Sequence, residues 1–253
     1  MKYIYGPVSS WRLGSSLGID LFSQEEKVCN FDCNYCQLGK KLTYSIKRNL
    51  YVPTQEVIEE LKRLPEGQID YITFSGRGES TLAENLGDTI KAIKRLRKEK
   101  VAVLTNSSLM NRVDVRENLL LADFVIAKLD ASSQKMLESI NNPTSEIKFD
   151  EIYQGIKLFR KEYDGKLALQ IMFIDENKEF VGRLAKLSLE IKPDEVQINT
   201  PLRQCEVKPL SPNEIFEIKG HFIGLNVITA YDKELKDVKP INPEDTLKRR
   251  GRE

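Results

Sequence analysis

Short β-rich apolar runs alternate along this chain with longer stretches of helical period, and no other feature of the sequence restricts its fold as much. The runs at 17–22, 69–75, 101–105, 124–129, 167–174 and 195–199 read as strands. Between them, 55–64 and 86–98 read as helices, the second with Ile90, Ile93 and Leu96 on one face. Phe149, Ile152, Tyr153, Ile156 and Phe159 mark a third helical face. Ser211-Pro212-Asn213-Glu214 combines an N-cap serine, an N1 proline and an N3 glutamate, which is a helix start, and a further strand follows at 225–230. Six strand–helix units predict an α/β fold, a partial (β/α)6 barrel open on one side. The expected organisation is a barrel over 1–210 and a C-terminal extension over 211–253 (helix, strand, basic tail) packed on the same domain.

Composition removes several classes of function. With 253 residues the chain is long enough to bury a full core without cross-links. Lysine plus arginine number 39 against 38 acids, so no global basic field advertises nucleic acid or a membrane surface. The first residues lack the apolar core of a signal peptide, and no apolar run approaches about 18 residues; a cytoplasmic protein with no membrane partner is expected. The one histidine, His221, excludes most zinc hydrolases and histidine-dependent triads. The chemistry must rest on thiolates, carboxylates, lysine or a cofactor.

The strand faces carry further information. Alternation places Phe124, Ile126, Lys128 and Asp130 on one face, Ala168, Gln170 and Met172 on a face of the next strand, and Gln197 with Asn199 on the last. An unpaired buried amide or ammonium is costly, so a barrel interior without a ligand would carry Val, Ile and Leu there. The polar residues predict a wet cavity at the C-terminal mouth of the barrel, the end at which such folds place their sites.

Three of the four cysteines lie within eight residues: Cys29-Asn30-Phe31-Asp32-Cys33-Asn34-Tyr35-Cys36 reads C-x3-C-x2-C directly after the first predicted strand. Thiolates are soft ligands, and a short loop can wrap three of them around an iron–sulfur cube, leaving one iron open to a small molecule. A zinc site needs a fourth ligand; Cys205 is distant in sequence and His221 lies in no ligand motif. A non-enzymatic iron–sulfur or zinc module remains the alternative to an enzyme at this point.

The loop, with Tyr35 before its last cysteine, resembles the signature of the radical S-adenosylmethionine (SAM) superfamily. The resemblance implies a partial barrel of that type and one [4Fe–4S] cluster held by Cys29, Cys33 and Cys36. It further implies SAM at the open iron, cleaved reductively to methionine and a 5′-deoxyadenosyl radical that abstracts hydrogen from a substrate. A small electron donor of flavodoxin or ferredoxin type would serve it. The segment Thr73-Phe74-Ser75-Gly76-Arg77-Gly78-Glu79-Ser80-Thr81-Leu82 is similar to the superfamily's Gly-Gly-Glu motif, with Ser80 where relatives often have proline. The resemblance implies that Ser75, Gly76, Gly78, Glu79, Asn106, Lys128, Asp130, Gln197 and Asn199 bind the cofactor and that Tyr35 flanks its adenine.

Gly6-Pro7-Val8, the run from Arg12 to Asp20, Cys33 to Gly39, Lys128-Leu129-Asp130 and Gln197-Ile198-Asn199-Thr200-Pro201 with Arg203 resemble the branch that includes the archaeal tRNA wyosine-base (4-demethylwyosine) synthases. Those synthases carry three further upstream cysteines for a second cluster, and no cysteine stands before Cys29 here. The substrate is open: a tRNA or other RNA nucleobase is one expectation, a protein glycine or peptide modified by an activase the other. Cys205, at the exit of the sixth strand, is the candidate catalytic residue, a hydrogen-atom donor if it faces the cavity and otherwise a small buried apolar residue. Asp20 points into the mouth or lies exposed at an edge. Lys248-Arg249-Arg250-Gly251-Arg252 reads as a solvated basic terminus, and His221 as a surface or turn residue.

Overall fold

In the computed structural model, which describes residues 1–22, 26–39, 42–64, 67–232 and 236–250, β1 (Ile4–Ser10) turns back into β2 (Gly14–Ile19). The cysteine loop then carries a two-stranded sheet of its own, β3 (Lys27–Cys29) and β4 (Leu42–Tyr44). Next come α1 (Thr54–Lys62), β5 (Tyr71–Phe74), α2 (Leu86–Leu96), β6 (Lys100–Thr105), α3 (Val113–Leu119) and β7 (Phe124–Lys128). After α4 (Gln134–Asn141) and α5 (Phe149–Glu162) follow β8 (Lys166–Met172), α6 (Val181–Ile191), β9 (Glu195–Asn199), α7 (Pro212–Gly220), β10 (Val227–Thr229) and α8 (Pro243–Arg250). The main sheet has the order β1-β2-β5-β6-β7-β8-β9-β10; β1 is antiparallel to β2 and the other neighbours are parallel. It curls into an open half-barrel.

The six predicted strands are β2 and β5 to β9, and the run at 225–230 adds β10 at the far edge. The strand predicted at 17–22 starts earlier, at Gly14, because pairing with β1 and β5 draws Ser15 and Ser16 into the ladder. β1 itself was hidden by Gly6-Pro7, which reads as a strand breaker; at a sheet edge the interruption is tolerated as a register shift between Tyr5 and Val8. Leu96 was expected on the buried face of α2 but ends the helix 39% exposed. The Ser211–Glu214 pair forms the full reciprocal capping box of α7.

Register decides which side chains look inward. Thr73 pairs with Ala102, Ala102 with Phe124, Leu104 with Ile126, and Ile126 with Ala168. Leu13, Ala102, Phe124, Ile126 and Ala168 close the N-terminal end of the half-barrel as an apolar plug. One step toward the C-terminal ends, Lys128, Gln170 and Gln197 pair side by side, so the inner face turns polar as alternation required. The outer residues Ile72, Phe74, Val101, Val103, Leu167 and Leu169 pack in the large core with Ile90, Ile93, Ile156 and Phe159 of the covering helices. Burying each such side chain contributes roughly 1.5–3 kcal/mol, which makes the outer layer the main source of stability.

The basic C-terminal stretch overturns its expectation. Instead of a solvated tail, α8 contacts β1, and the Arg249 side chain is 8% exposed with Nε 3.0 Å from Oδ2 of a fully buried Asp20. Arg249 also donates to the carbonyls of Asp245 and Lys2, and Arg250 Nη2 donates to the carbonyl of Ser9 at 3.2 Å. Gly251 and Arg252 lie outside the described residues. Asp20 faces inward, and a buried carboxylate requires a counter-charge, which the last helix delivers. Arg249→Met should therefore lower the unfolding free energy by about 3–5 kcal/mol in urea denaturation, with Asp20→Asn/Arg249→Met recovering most of the loss; equal stability of wild type and single variant would refute this role for the pair.

Candidate active site

The cysteine loop is strapped to the sheet at both ends. Val28 donates to the carbonyl of Arg77 at 2.9 Å and accepts from Glu79 N at 3.0 Å, so β3 runs beside the Gly-x-Gly-Glu segment that leaves β5. A Cβ at Gly78 would overlap the Val28 carbonyl, so this close approach demands glycine. Gly76 has φ +133°, and a Cβ there would sit 2.7 Å from Asp20 Cγ. Both glycines are thus needed for the chain's own packing, independent of any ligand. On the other side, Asp32 N and Asn34 N donate to the carbonyls of Asn141 and Ile140, each at 3.0 Å, where α4 ends.

Cys29, Cys33 and Cys36 are free and half-buried, and each sulfur is faced by nitrogen donors. Phe31 N lies 3.4 Å and Asn106 Nδ2 3.7 Å from Cys29 Sγ; Asn141 Nδ2 lies 3.3 Å from Cys33 Sγ and Lys27 Nζ 3.4 Å from Cys36 Sγ. Burial pushes the Cys29 and Cys33 thiols up, with Glu79 adding to the effect at Cys29. Such thiols ionise when a bound cation supplies the missing counter-charge. Among the described residues no three His, Cys, Asp or Glu side chains converge as they would around one metal ion. Three soft thiols presented side by side suit a cluster in which each meets its own iron better than a mononuclear tetrahedral site. Burial acts to lower Lys27, yet Cys36 and the 3.1 Å pair with Asp32 outweigh it and hold the ammonium above its ordinary value.

Glu79 is 3% exposed, and its oxygens are occupied by its own chain. Oε1 accepts from Thr81 N at 3.0 Å, Thr81 Oγ1 at 2.7 Å and Thr105 Oγ1 at 2.6 Å; Oε2 accepts from Asn106 N at 2.6 Å. Burial pushes its carboxyl above the usual range while the donors from Asn106, Thr105 and Thr81 act against the rise. The carboxylate therefore pins the loop after β6 to the exit of β5. Asn106 in turn donates to Asn30 Oδ1 at 2.7 Å and accepts from Ser108 N and Oγ at 3.0 and 2.6 Å.

A second network joins the loop to β7. The Tyr35 hydroxyl donates to Asp130, which also accepts from Met172 N at 2.7 Å and Asn141 Nδ2 at 3.1 Å. Lys128 Nζ stands 3.4 Å from Asp130 Oδ2 and 4.5 Å above the Tyr35 ring. Burial, and then Asp130, push the Tyr35 phenol well above its ordinary value, so it stays a donor. The structure thus gathers Cys29, Cys33, Cys36, Tyr35, Glu79, Asn106, Lys128 and Asp130 around one loop. Ser75 lies at the exit of β5 with its hydroxyl 2.6 Å from Tyr5. Gln197 and Asn199 lie on β9: Gln197 Nε2 donates to Glu195 at 2.8 Å, while Gln197 Oε1 and Gln170 Nε2 are buried and meet no partner among the described residues.

Cys205 is half-buried with Sγ 3.2 Å from the Val207 carbonyl, and it lines a cleft of about 760 Å³ together with Cys33, Cys36, Gln37, Glu244 and Lys248. His221 is the exposed C-cap of α7. Sequence reasoning did not single out Lys27, Asn30 or Asn141, which are buried around the cysteines. Lys27 and Asn30 are close enough to the signature to be suspected; Asn141 is 105 residues beyond Cys36 and carries no local signal.

The sequence profile of the Radical SAM superfamily matches residues 27–187. A UPF0026 protein of Synechocystis sp. is 42% identical over 224 residues, covering 87% of this chain and 82% of that protein. Among solved structures, Streptococcus suis SuiB bound to S-adenosylmethionine is similar over 84% of this chain, with TM-score 0.64 and 17% identity; this chain spans 50% of SuiB. Archaeal TYW1 is similar over 83% of this chain and 71% of its own, with TM-score 0.58 and 16% identity. Likeness at these identities speaks to the fold.

If the Glu79 carboxylate is the pin between the loops, Glu79→Gln places an amide N–H against existing donors and should cost about 1–3 kcal/mol in chemical denaturation. Wild-type stability in that variant would refute the role.

Proposed function

The chain belongs to the radical SAM superfamily and, within it, to the group of UPF0026 proteins, and we propose that it binds one [4Fe–4S] cluster through Cys29, Cys33 and Cys36 and cleaves SAM reductively to abstract a hydrogen atom from a substrate. The observation that carries this reading is one loop presenting three free thiols, each faced by nitrogen donors, at the polar mouth of the half-barrel. When bound and reduced, the cluster supplies the electron that breaks a carbon–sulfur bond of SAM.

The chain's contribution is orientation and exclusion of water. Asn106, Asn141 and Lys27 aim N–H groups at the three sulfurs and so moderate the negative charge gathered there. Lys128, fixed by Asp130 and one-fifth exposed, is the cation available to the SAM carboxylate or ribose. Tyr35 and Asn141, tied to Asp130, hold the loop's last turn against β7. The exit segment of β5, with Ser75 and the glycines, offers backbone groups beside the thiols, while Glu79 acts through the loops it joins. Gln170 and Gln197, in register with Lys128, and Asn199, two residues further along β9, face the substrate. As substrate we favour an RNA nucleobase, a reading supported by the segments shared with the wyosine-base synthases.

Anaerobic reconstitution followed by reduction with dithionite tests the chemistry. The wild type should produce 5′-deoxyadenosine from SAM, and Cys33→Ala should reduce it by at least about a hundredfold while losing bound iron, because one of three anchoring thiolates is gone. A Cys33→Ala protein working at the wild-type rate would remove the proposal. Nucleoside mass spectrometry of RNA from a deletion strain tests the substrate: a missing modified nucleoside is expected, and an unchanged profile refutes the nucleobase.

A further inference from the structure

We infer that Arg12, Arg203 and Arg250 form a recognition site for a phosphoryl group of the substrate, an inference that rests on the mouth of the half-barrel being the place of reaction. Arg12 stands in the turn between β1 and β2, and the next residue, Leu13, packs into the apolar plug, so the turn folds inward. The Trp11 ring covers one face of the guanidinium at 4.6 Å. Its Nε and Nη1 are buried and meet no acceptor among the described residues.

Two more arginines approach from elsewhere in the chain. Arg203, in the segment after β9, donates from Nη1 to Gln37 Oε1 at 3.1 Å and lies 3.5 Å from the Arg250 carbonyl. Arg250, at the end of α8, holds the Ser9 carbonyl at 3.2 Å, three residues before Arg12. Burial, and then the charges of Arg203 and Arg250, push the Arg12 guanidinium down to about 9. It remains charged at neutral pH.

Through Arg203 this grouping reaches the site already described. Gln37, which Arg203 holds, and Gln204, its chain neighbour, line the cleft that also reaches Cys33, Cys36 and Cys205. Buried N–H groups without an acceptor are uncommon in folded proteins, and guanidinium forks match the oxygens of phosphate in two-point hydrogen bonds. Positive charge gathered from three segments suits a dianionic phosphoryl group better than a single carboxylate.

A thermal-melting titration of the reconstituted protein tests the site, with inorganic phosphate compared against chloride and acetate at equal ionic strength. Phosphate should raise the midpoint saturably and acetate should not. In Arg12→Gln the apparent phosphate affinity should fall by about tenfold or more, the scale of a lost charge-assisted hydrogen bond. Without phosphate that variant should melt at or above the wild-type temperature, because a buried charge beside two like charges has gone; a purely structural arginine would give a lower midpoint. Arg203→Gln should weaken the phosphate response as well. No saturable response, an unchanged response in Arg12→Gln, or an equal effect of acetate would overturn the inference. Competition separates the sources: adenosine 5′-monophosphate displacing phosphate identifies a terminal phosphoryl, whereas a hydroxyl-ended trinucleotide doing so identifies a backbone phosphodiester. Wild-type 5′-deoxyadenosine formation is measured in the same preparation; its absence alongside phosphate binding removes the radical reading and leaves the anion site, and the reverse result removes only the site.

Discussion

Glu79 ties the exit of β5 to the loop after β6 through its carboxylate and to β3 through its backbone. Its backbone N–H is bonded to β3, one oxygen accepts from Thr81 and Thr105, and the other from the Asn106 amide. An isolated buried carboxylate is expensive, but four donors convert that cost into a geometric constraint. The loop after β6, the exit of β5 and the strand leading into Cys29 therefore move as one piece. The cysteine loop is long and has only a two-stranded sheet of its own, so it borrows the rigidity of the main sheet through this joint.

The inner face of the half-barrel changes character over two residues of each strand. Phe124, Ile126 and Ala168 close the floor with Leu13, and one pleat higher Lys128, Gln170 and Gln197 face the space above it. A dry floor beneath a polar layer suits an enzyme that must hold a polar substrate while keeping water from a reactive carbon. Orphaned amide atoms at Gln170 and Gln197 mark the level at which the chain stops satisfying itself.

What could be read from the sequence was what depends on neighbours in the chain. Val101 to Leu104 and Leu167 to Leu169 are apolar on both faces, as covered parallel strands are, and spacing alone set the three cysteines apart. The helices α3, α4 and α6 went unread because they are short, weakly capped or, for α6, interrupted in the apolar pattern by a serine that bonds back to Leu184. α8 is dominated by lysine and arginine, and its burial depends on Asp20, which no local pattern reveals. Asn141 and Arg12 owe their settings to residues more than a hundred positions away, so a pattern of periods and spacings passes over them.

The pair between Asp20 and Arg249 spans 229 residues. On a ribosome, Asp20 emerges more than two hundred residues ahead of its counter-ion. Until Arg249 has been synthesised, the carboxylate has to stay hydrated, and the edge formed by β1 and β2 is kept from closing over it. Contacts this far apart in sequence slow the final step of folding and leave the unsealed strands open to association with other chains. Sealing of that edge thereby waits on α8.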